Sequence, residues 1–243
     1  MHHELDDPRR RALVQALSAG VFSAAIPLAH AQVANIFGSR PARLPPDKSV
    51  YRISGEATVN DKPATLDTKI VPGDTVKTGK NSELVMVVNS NAMILRGGTN
   101  VTIEREEKSS SLIITGLRLL SGALLSVSRN QPTKIRTANA TIGIRGTGFY
   151  IEAEANESYF CLCYGAAKVE ANDDRQSTQD LVAKYHDRPI FITNDAKNPG
   201  KNIRTAPFKN HTDQELTLIE TLVGRTPPFG IPKDNYTTPR RNY

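Results

Sequence analysis

The chain has 243 residues, enough for one large domain or two small ones. It lacks Trp and carries 16 Gly and 15 Pro spread along its length, a composition that suits many turns between short strands rather than long helices. A formal net charge of +6 is modest for this length, so it excludes the dense basic footprint of a nucleic-acid binder and leaves only weak attraction to anionic surfaces.

The N-terminus is read as an address. Arg9, Arg10 and Arg11 precede a mild apolar stretch, residues 12–28, that contains no acidic residue. It ends in Ala29-His30-Ala31, a small-x-small site before Gln32, so residues 1–31 have the layout of a secretory signal cleaved after Ala31. Arg10 and Arg11, followed by a weakly hydrophobic run with Gln15, Ser18, Gly20 and Ser23, resemble a twin-arginine export signal. An ordinary amphipathic helix is the competing reading. Cleavage would discard His2, His3 and His30. No other stretch approaches the roughly 18 apolar residues that span a bilayer, so the mature chain is expected in the periplasm without a transmembrane segment.

Residues 32–48 are rich in Pro and small residues and read as a linker. From Ser49 to Thr193 short runs of Val, Ile, Thr, Leu and Tyr recur about every 8–12 residues between Gly, Asn, Asp and Pro, the pattern of an all-β sandwich or barrel. Strands are expected at 51–53, 57–59, 75–78, 83–88, 92–95 and 101–103. Further runs at 112–120 and 123–127 are split by Ser121-Gly122, and runs at 133–137 and 140–144 by Asn139. Residues 149–153 and 158–164 follow, and Gly165 is expected to turn the chain into 167–170. Alternation places Tyr159, Cys161 and Cys163 on one face and Phe160, Leu162 and Tyr164 on the other, a strand covered on both sides. Residues 172–180 read as a polar loop, 181–185 and 190–193 as closing strands, and 194–229 as a connection carrying one helix. Thr212-Asp213-Gln214-Glu215 fits a capping box and starts that helix over 213–223; Leu216, Ile219 and Val223 share a face, and Gly224 with Pro227-Pro228 ends it. Residues 230–243 read as a disordered basic tail. The fold class is therefore all-β, an antiparallel sandwich-like domain with one short C-terminal helix; a β-solenoid is the alternative.

Two blocks carry a family resemblance. Val71-Pro72-Gly73-Asp74-Thr75-Val76-Lys77-Thr78-Gly79, followed by Glu83-Leu84-Val85-Met86-Val87, resembles the G-D-x-V-x-T-G hairpin of the periplasmic ferric-citrate-regulator (FecR) type. Leu120 to Leu125, Thr133 to Thr137 and Ile142 to Ile151, which contains Gly146-Thr147-Gly148-Phe149, are similar to its later strands. The resemblance covers about residues 49–170. It implies an extracytoplasmic β domain used in signalling and protein–protein contact. The best-known members place a helical sigma-factor-binding segment before a membrane helix. Only about eight residues precede the paired arginines here, too few to fold, so a free-standing version is expected.

The most pointed chemistry is Cys161-x-Cys163. After signal removal the chain holds these two Cys and two His, His186 and His211. Thiolates at i and i+2 of a strand lie about 7 Å apart on one side, near enough to share an ion after small adjustments. With His186 and His211 they make a Cys2His2 set suited to zinc, or to iron. Two other readings stay open: plain buried thiols, and a strained i,i+2 disulfide. His186 has Asp187 beside it as an orienting carboxylate, and His211 reads as a capping or surface residue. Gly143-Ile144-Arg145-Gly146-Thr147-Gly148 precedes a strand rather than a helix, so bulge glycines are preferred to a phosphate loop. No G-x-S-x-G elbow is present, and Glu104, Glu106 and Glu107 read as a solvated charge run. The chain is read as no enzyme and as having no cofactor unless the metal reading holds. Its expected role is an envelope recognition module whose partner is another envelope protein or polymer, met along exposed strand edges.

Overall fold

The structure is a computed structural model that describes residues 42–106, 113–128 and 132–229. The export signal with Arg10, Arg11 and the site after Ala31, the first ten residues of the expected linker and the basic tail all lie outside the described residues.

The strands are β1 (Val50–Ser54), β2 (Ala57–Val59), β3 (Lys62–Pro63), β4 (Thr75–Thr78), β5 (Glu83–Val88), β6 (Asn91–Leu95), β7 (Asn100–Arg105), β8 (Ile114–Ser128), β9 (Thr133–Arg136), β10 (Ala140–Ala153), β11 (Glu157–Ala171), β12 (Asp174–Ala183), β13 (Ile190–Thr193) and β14 (Ile203–Thr205). Three of them are long enough to serve two sets of neighbours. Residues 114–121 of β8 pair with β7, whereas 124–127 pair with β6 and 122–128 with β10. In β10, residues 141–144 pair with β9 and 147–153 with β8. In β11, 157–160 pair with β13 and 165–171 with β12.

The sheet therefore has two halves joined through β8, β10 and β11. The joints fall at Gly122 (φ 85°), Gly146 (φ 61°) and Gly165 (φ 99°), left-handed conformations that glycine adopts without a Cβ penalty. In the first half β9 sits between β8 and β10; in the second half β8 and β10 pair directly.

Period two decides which residue faces where. From β5, β6, β10 and β11, Leu84, Met86, Met93, Leu95, Phe149, Ile151, Phe160 and Leu162 enter a large core. That core also receives Val76, Val101, Ile103, Leu117, Leu119, Ile135, Ile142, Val169 and Leu181 from the first half. The two halves thus face each other across one apolar layer, the sandwich-like arrangement expected. Intervening residues of the second half, Val85, Val87, Ala92, Ile94, Leu125, Val127, Tyr150, Tyr159, Cys161 and Cys163, form a second buried cluster on its outer face.

The helix α1 (Asp213–Leu222) covers that outer face with Leu216, Ile219 and Leu222. Its capping box is formed in both directions: Thr212 accepts from the Glu215 N–H, and the Glu215 side chain accepts from the Thr212 N–H. The lead-in meets its other end, where the Leu44 N–H donates to the Leu222 carbonyl at 2.9 Å.

Several local expectations are corrected. Ser121-Gly122 and Gly165 bend continuous strands rather than end them. Residues 174–180, read as loop, belong to β12; of these seven only Asp174 and Ser177 are buried, both polar, so no apolar run marks this part of the strand. The sheet is not wholly antiparallel either, because 116–118 of β8 run parallel to 134–136 of β9. Tyr164 shares the outer cluster with Cys163, for a reason given below.

Candidate functional site

Cys161, Cys163, His186 and His211 converge beneath the N-terminal end of α1. Their ligand atoms, two Sγ and two ring nitrogens, all lie within 4.8 Å of one another. Three separate segments supply them. Cys161 and Cys163 project from β11. His186 lies in the connection between β12 and β13, and His211 follows β14 and precedes the helix cap.

A flat strand would hold the two sulfurs farther apart. Gly148 of β10 pairs with Tyr164, but the next residue, Phe149, pairs with Leu162, so Cys163 is an extra residue bulged out of the register. The bulge draws the two thiols together. It also swings Tyr164 onto the Cys face, where its hydroxyl donates to the Glu220 carboxylate of α1. The Tyr164 ring lies over Gly148, whose backbone leaves no room for a Cβ: one built there would sit 2.4 Å from the ring.

Each histidine is held on its far side. The His186 N–H donates to the Cys163 carbonyl at 3.0 Å, and its backbone is left-handed, φ 46°. His186 Nε2 lies 3.0 Å from Oδ1 of Asp213, and Tyr185 donates its hydroxyl to Oδ2 of the same carboxylate at 2.7 Å. His211 Nδ1 lies 2.8 Å from the Lys209 carbonyl, and its ring stacks on Tyr150 with centroids 4.7 Å apart. The near-side nitrogens, Nδ1 of His186 and Nε2 of His211, are 3.2 Å apart. Cys161 Sγ is 3.7 Å from the first and Cys163 Sγ 3.5 Å from the second.

Phe208 packs edge-on against both imidazoles, and Phe229 against Tyr185 and His186. Cys161, Cys163 and His211 are fully buried. The cysteines are not bridged. A hydrogen bond from Cys163 is the largest influence on Cys161; burial opposes it, and His186 and His211 reinforce it, so the Cys161 thiol is held well below the usual range. Burial, then the Cys161 sulfur, pushes Cys163 well up.

All four metal-candidate residues named from the sequence are brought together. Two details differ from the expectation. His186 is oriented by Asp213, not by its neighbour Asp187, whose carboxylate accepts from the Lys184 and Tyr185 N–H groups instead. His211 is a core residue, neither exposed nor the cap. Asp213 was missed because it read as an ordinary first-turn acid; its position two residues after His211 was the available signal. Glu104 is no solvated charge, since it lies between Arg118 and Arg136.

Residues 74–172 match the family described as FecR protein. Among curated proteins nothing matches the chain. Two crystal structures titled "putative anti-sigma factor", from Parabacteroides distasonis ATCC 8503, resemble it at 17% identity and a TM-score of 0.42. The likeness covers 59% of this chain and 62% of that protein, less than two thirds of its length.

Proposed function

We propose that this chain, whose residues 74–172 match the FecR family, is an exported, non-catalytic recognition and signalling module of the cell envelope. The FecR match carries the reading, because it spans the long strands β8, β10 and β11 that join both halves of the sheet. The site geometry agrees with a non-catalytic role. The nucleophiles are sealed beneath aromatic rings and a helix, so a substrate has no approach to them. No helix among the described residues is long and apolar enough to cross a membrane. The partner is another envelope protein or an envelope polymer. The natural docking elements are the open strand edges; among the described residues β12 pairs with β11 alone, and it presents Val182 at 74% exposure.

Fusing the full chain to a reporter active only outside the cytoplasm tests the export. Activity that is lost on replacing Arg10 and Arg11 by Lys is expected; a reporter active only in the cytosol overturns it. A photo-crosslinker at position 182 tests recognition. An adduct with one envelope component supports the reading, and its absence in cells that express the exported chain removes the β12 edge as the docking element.

A further inference from the structure

The two imidazoles meet through nitrogens that both carry lone pairs. A carbonyl oxygen only accepts, so the Lys209 contact places the His211 proton on Nδ1 and leaves Nε2 with its lone pair. The Asp213 carboxylate, already taking the Tyr185 hydroxyl, likewise places the His186 proton on Nε2 and leaves Nδ1 as acceptor. These acceptors point at each other across 3.2 Å inside a buried space, with two sulfurs beside them. Facing lone pairs repel, and burial makes the mismatch costly. The two thiols can each turn an S–H toward one nitrogen, Cys161 to His186 at 3.7 Å and Cys163 to His211 at 3.5 Å, but a thiol is only a weak donor. A small divalent cation between them would satisfy all four.

We propose that Cys161, Cys163, His186 and His211 are the four ligands of one zinc ion. The distances suit the ion. With Zn–N near 2.0–2.1 Å and Zn–S near 2.3 Å, a regular tetrahedron has edges of about 3.3 Å for N···N and about 3.5 Å for N···S. Three of the six edges are 3.2 Å between the nitrogens and 3.5 and 3.7 Å between nitrogen and sulfur, and the other three are no longer than 4.8 Å, so the sulfurs need only a small inward shift. An S2N2 tetrahedron selects zinc over oxygen-preferring cations. The far-side partners, Asp213 and the Lys209 carbonyl, are the outer-shell acceptors that fix a ligating imidazole's tautomer and orientation. Four protein ligands leave no open position, so the centre is structural. Binding converts the two thiols to thiolates and releases their protons to solvent. The ion would pin β11, the β12–β13 connection and the segment leading into α1 to one point. This inference does not depend on the export or the signalling role.

The test uses the full chain purified without chelator. One zinc per chain by elemental analysis is expected. After its removal, cobalt(II) should give thiolate-to-cobalt charge-transfer absorption and the intense visible bands of a tetrahedral ion. Cys161→Ser should weaken zinc binding at least tenfold and reduce the charge-transfer intensity. If that variant fails to fold, Asp213→Ala supplies the second readout, with affinity lowered about 10–100-fold while the thiolate bands persist. Two free thiols with neither zinc nor cobalt bound would overturn the assignment. Zinc retained in full by Cys161→Ser and His186→Ala would do so too, as would a Cys161–Cys163 disulfide whose reduced form takes up no cobalt.

Discussion

The Cys163 carbonyl accepts the backbone N–H of His186 at 3.0 Å, so the residue that breaks the β10–β11 register also holds the turn that delivers the histidine. That turn places His186 in the left-handed region, φ 46°. A β-branched residue there is strained on the order of 1–3 kcal/mol, whereas Asn visits the region readily. In metal-free protein, His186→Val should therefore unfold at lower temperature than His186→Asn. Equal melting temperatures would show that the turn relaxes and the strain argument is wrong.

Thr212 caps α1, and Glu215 completes the box while also accepting from Arg96 at 2.9 Å. Arg96 in turn reaches Glu83 of β5 at 2.7 Å, so the cap is tied to the sheet it covers. Thr212→Ala should cost about 1 kcal/mol in a urea titration, and Thr212→Ser much less. If the serine variant is as damaged as the alanine variant, the hydroxyl is not what stabilises the helix start.

Much of this was legible in the residues. The capping box, the stop at Gly224 and the alternation of β11 up to Cys163 each follow from local chemistry. The cysteines and histidines were identifiable as a set, but their meeting was not. It depends on a bulge at Cys163, and a bulge is a mismatch between two strands that neither strand shows alone. The same bulge explains the reversed face of Tyr164. The first part of β12 was missed because Asp174, Arg175, Gln176, Ser177 and Thr178 carry no apolar alternation; its end at 181–183 falls in the strand expected at 181–185. Asp174 and Ser177 are buried there, yet they hydrogen-bond each other and Asn202 rather than pack against aliphatic neighbours. Glycines at 122 and 165 looked like ordinary turn signals; only the long-range pairing shows that the strands continue through them.

Glu220 is fully buried on α1, between the Tyr164 hydroxyl and Arg225, whose Nε lies 2.6 Å away. Removing one partner of a buried pair leaves a charge without its counter-ion, which costs on the order of 3–5 kcal/mol. Arg225→Ala should therefore destabilise more than the double change Arg225→Ala with Glu220→Leu, since the second substitution removes the buried carboxylate that lost its Arg225 contact. Thermal or urea unfolding of the three proteins gives the order. A double variant clearly less stable than Arg225→Ala would reject the account.

Glu152 of β10 holds the loop that carries His211. It accepts from Lys209 at 2.7 Å, Asn210 at 2.6 Å and Tyr150 at 2.9 Å. Burial raises its pKa, but the hydrogen bonds from Asn210, Lys209 and Tyr150 outweigh that and hold it below the usual value. A carboxyl that titrates lower in the folded than in the unfolded chain stabilises fully above the unfolded pKa, about 4.3, and loses that contribution as pH falls through the folded one. The stability gap between wild type and Glu152→Gln should thus be constant near neutral pH and shrink in acid. Both proteins should still weaken there, because hydrogen bonds from Ser177 and then Asn202 hold Asp174 low as well. A gap unchanged down to about pH 3 would rule out this role for Glu152.

Gly122 and Gly98 both have left-handed backbones, φ 85° and φ 69°, yet they differ in surroundings. A Cβ on Gly122 would sit 2.4 Å from the Thr99 Cα, a backbone atom that cannot move aside, whereas one on Gly98 meets nothing within 4 Å. Gly98→Ala should then cost only the conformational penalty, about 1 kcal/mol. Gly122→Ala should cost clearly more, because the joint between the two halves of β8 must shift as well. The comparison isolates packing from backbone preference, since both substitutions add one methyl at a positive φ. Chemical denaturation of the two variants decides it: equal losses would mean that β8 bends at Gly122 only because glycine permits the angle, and that the close approach to Thr99 carries no part of the fold.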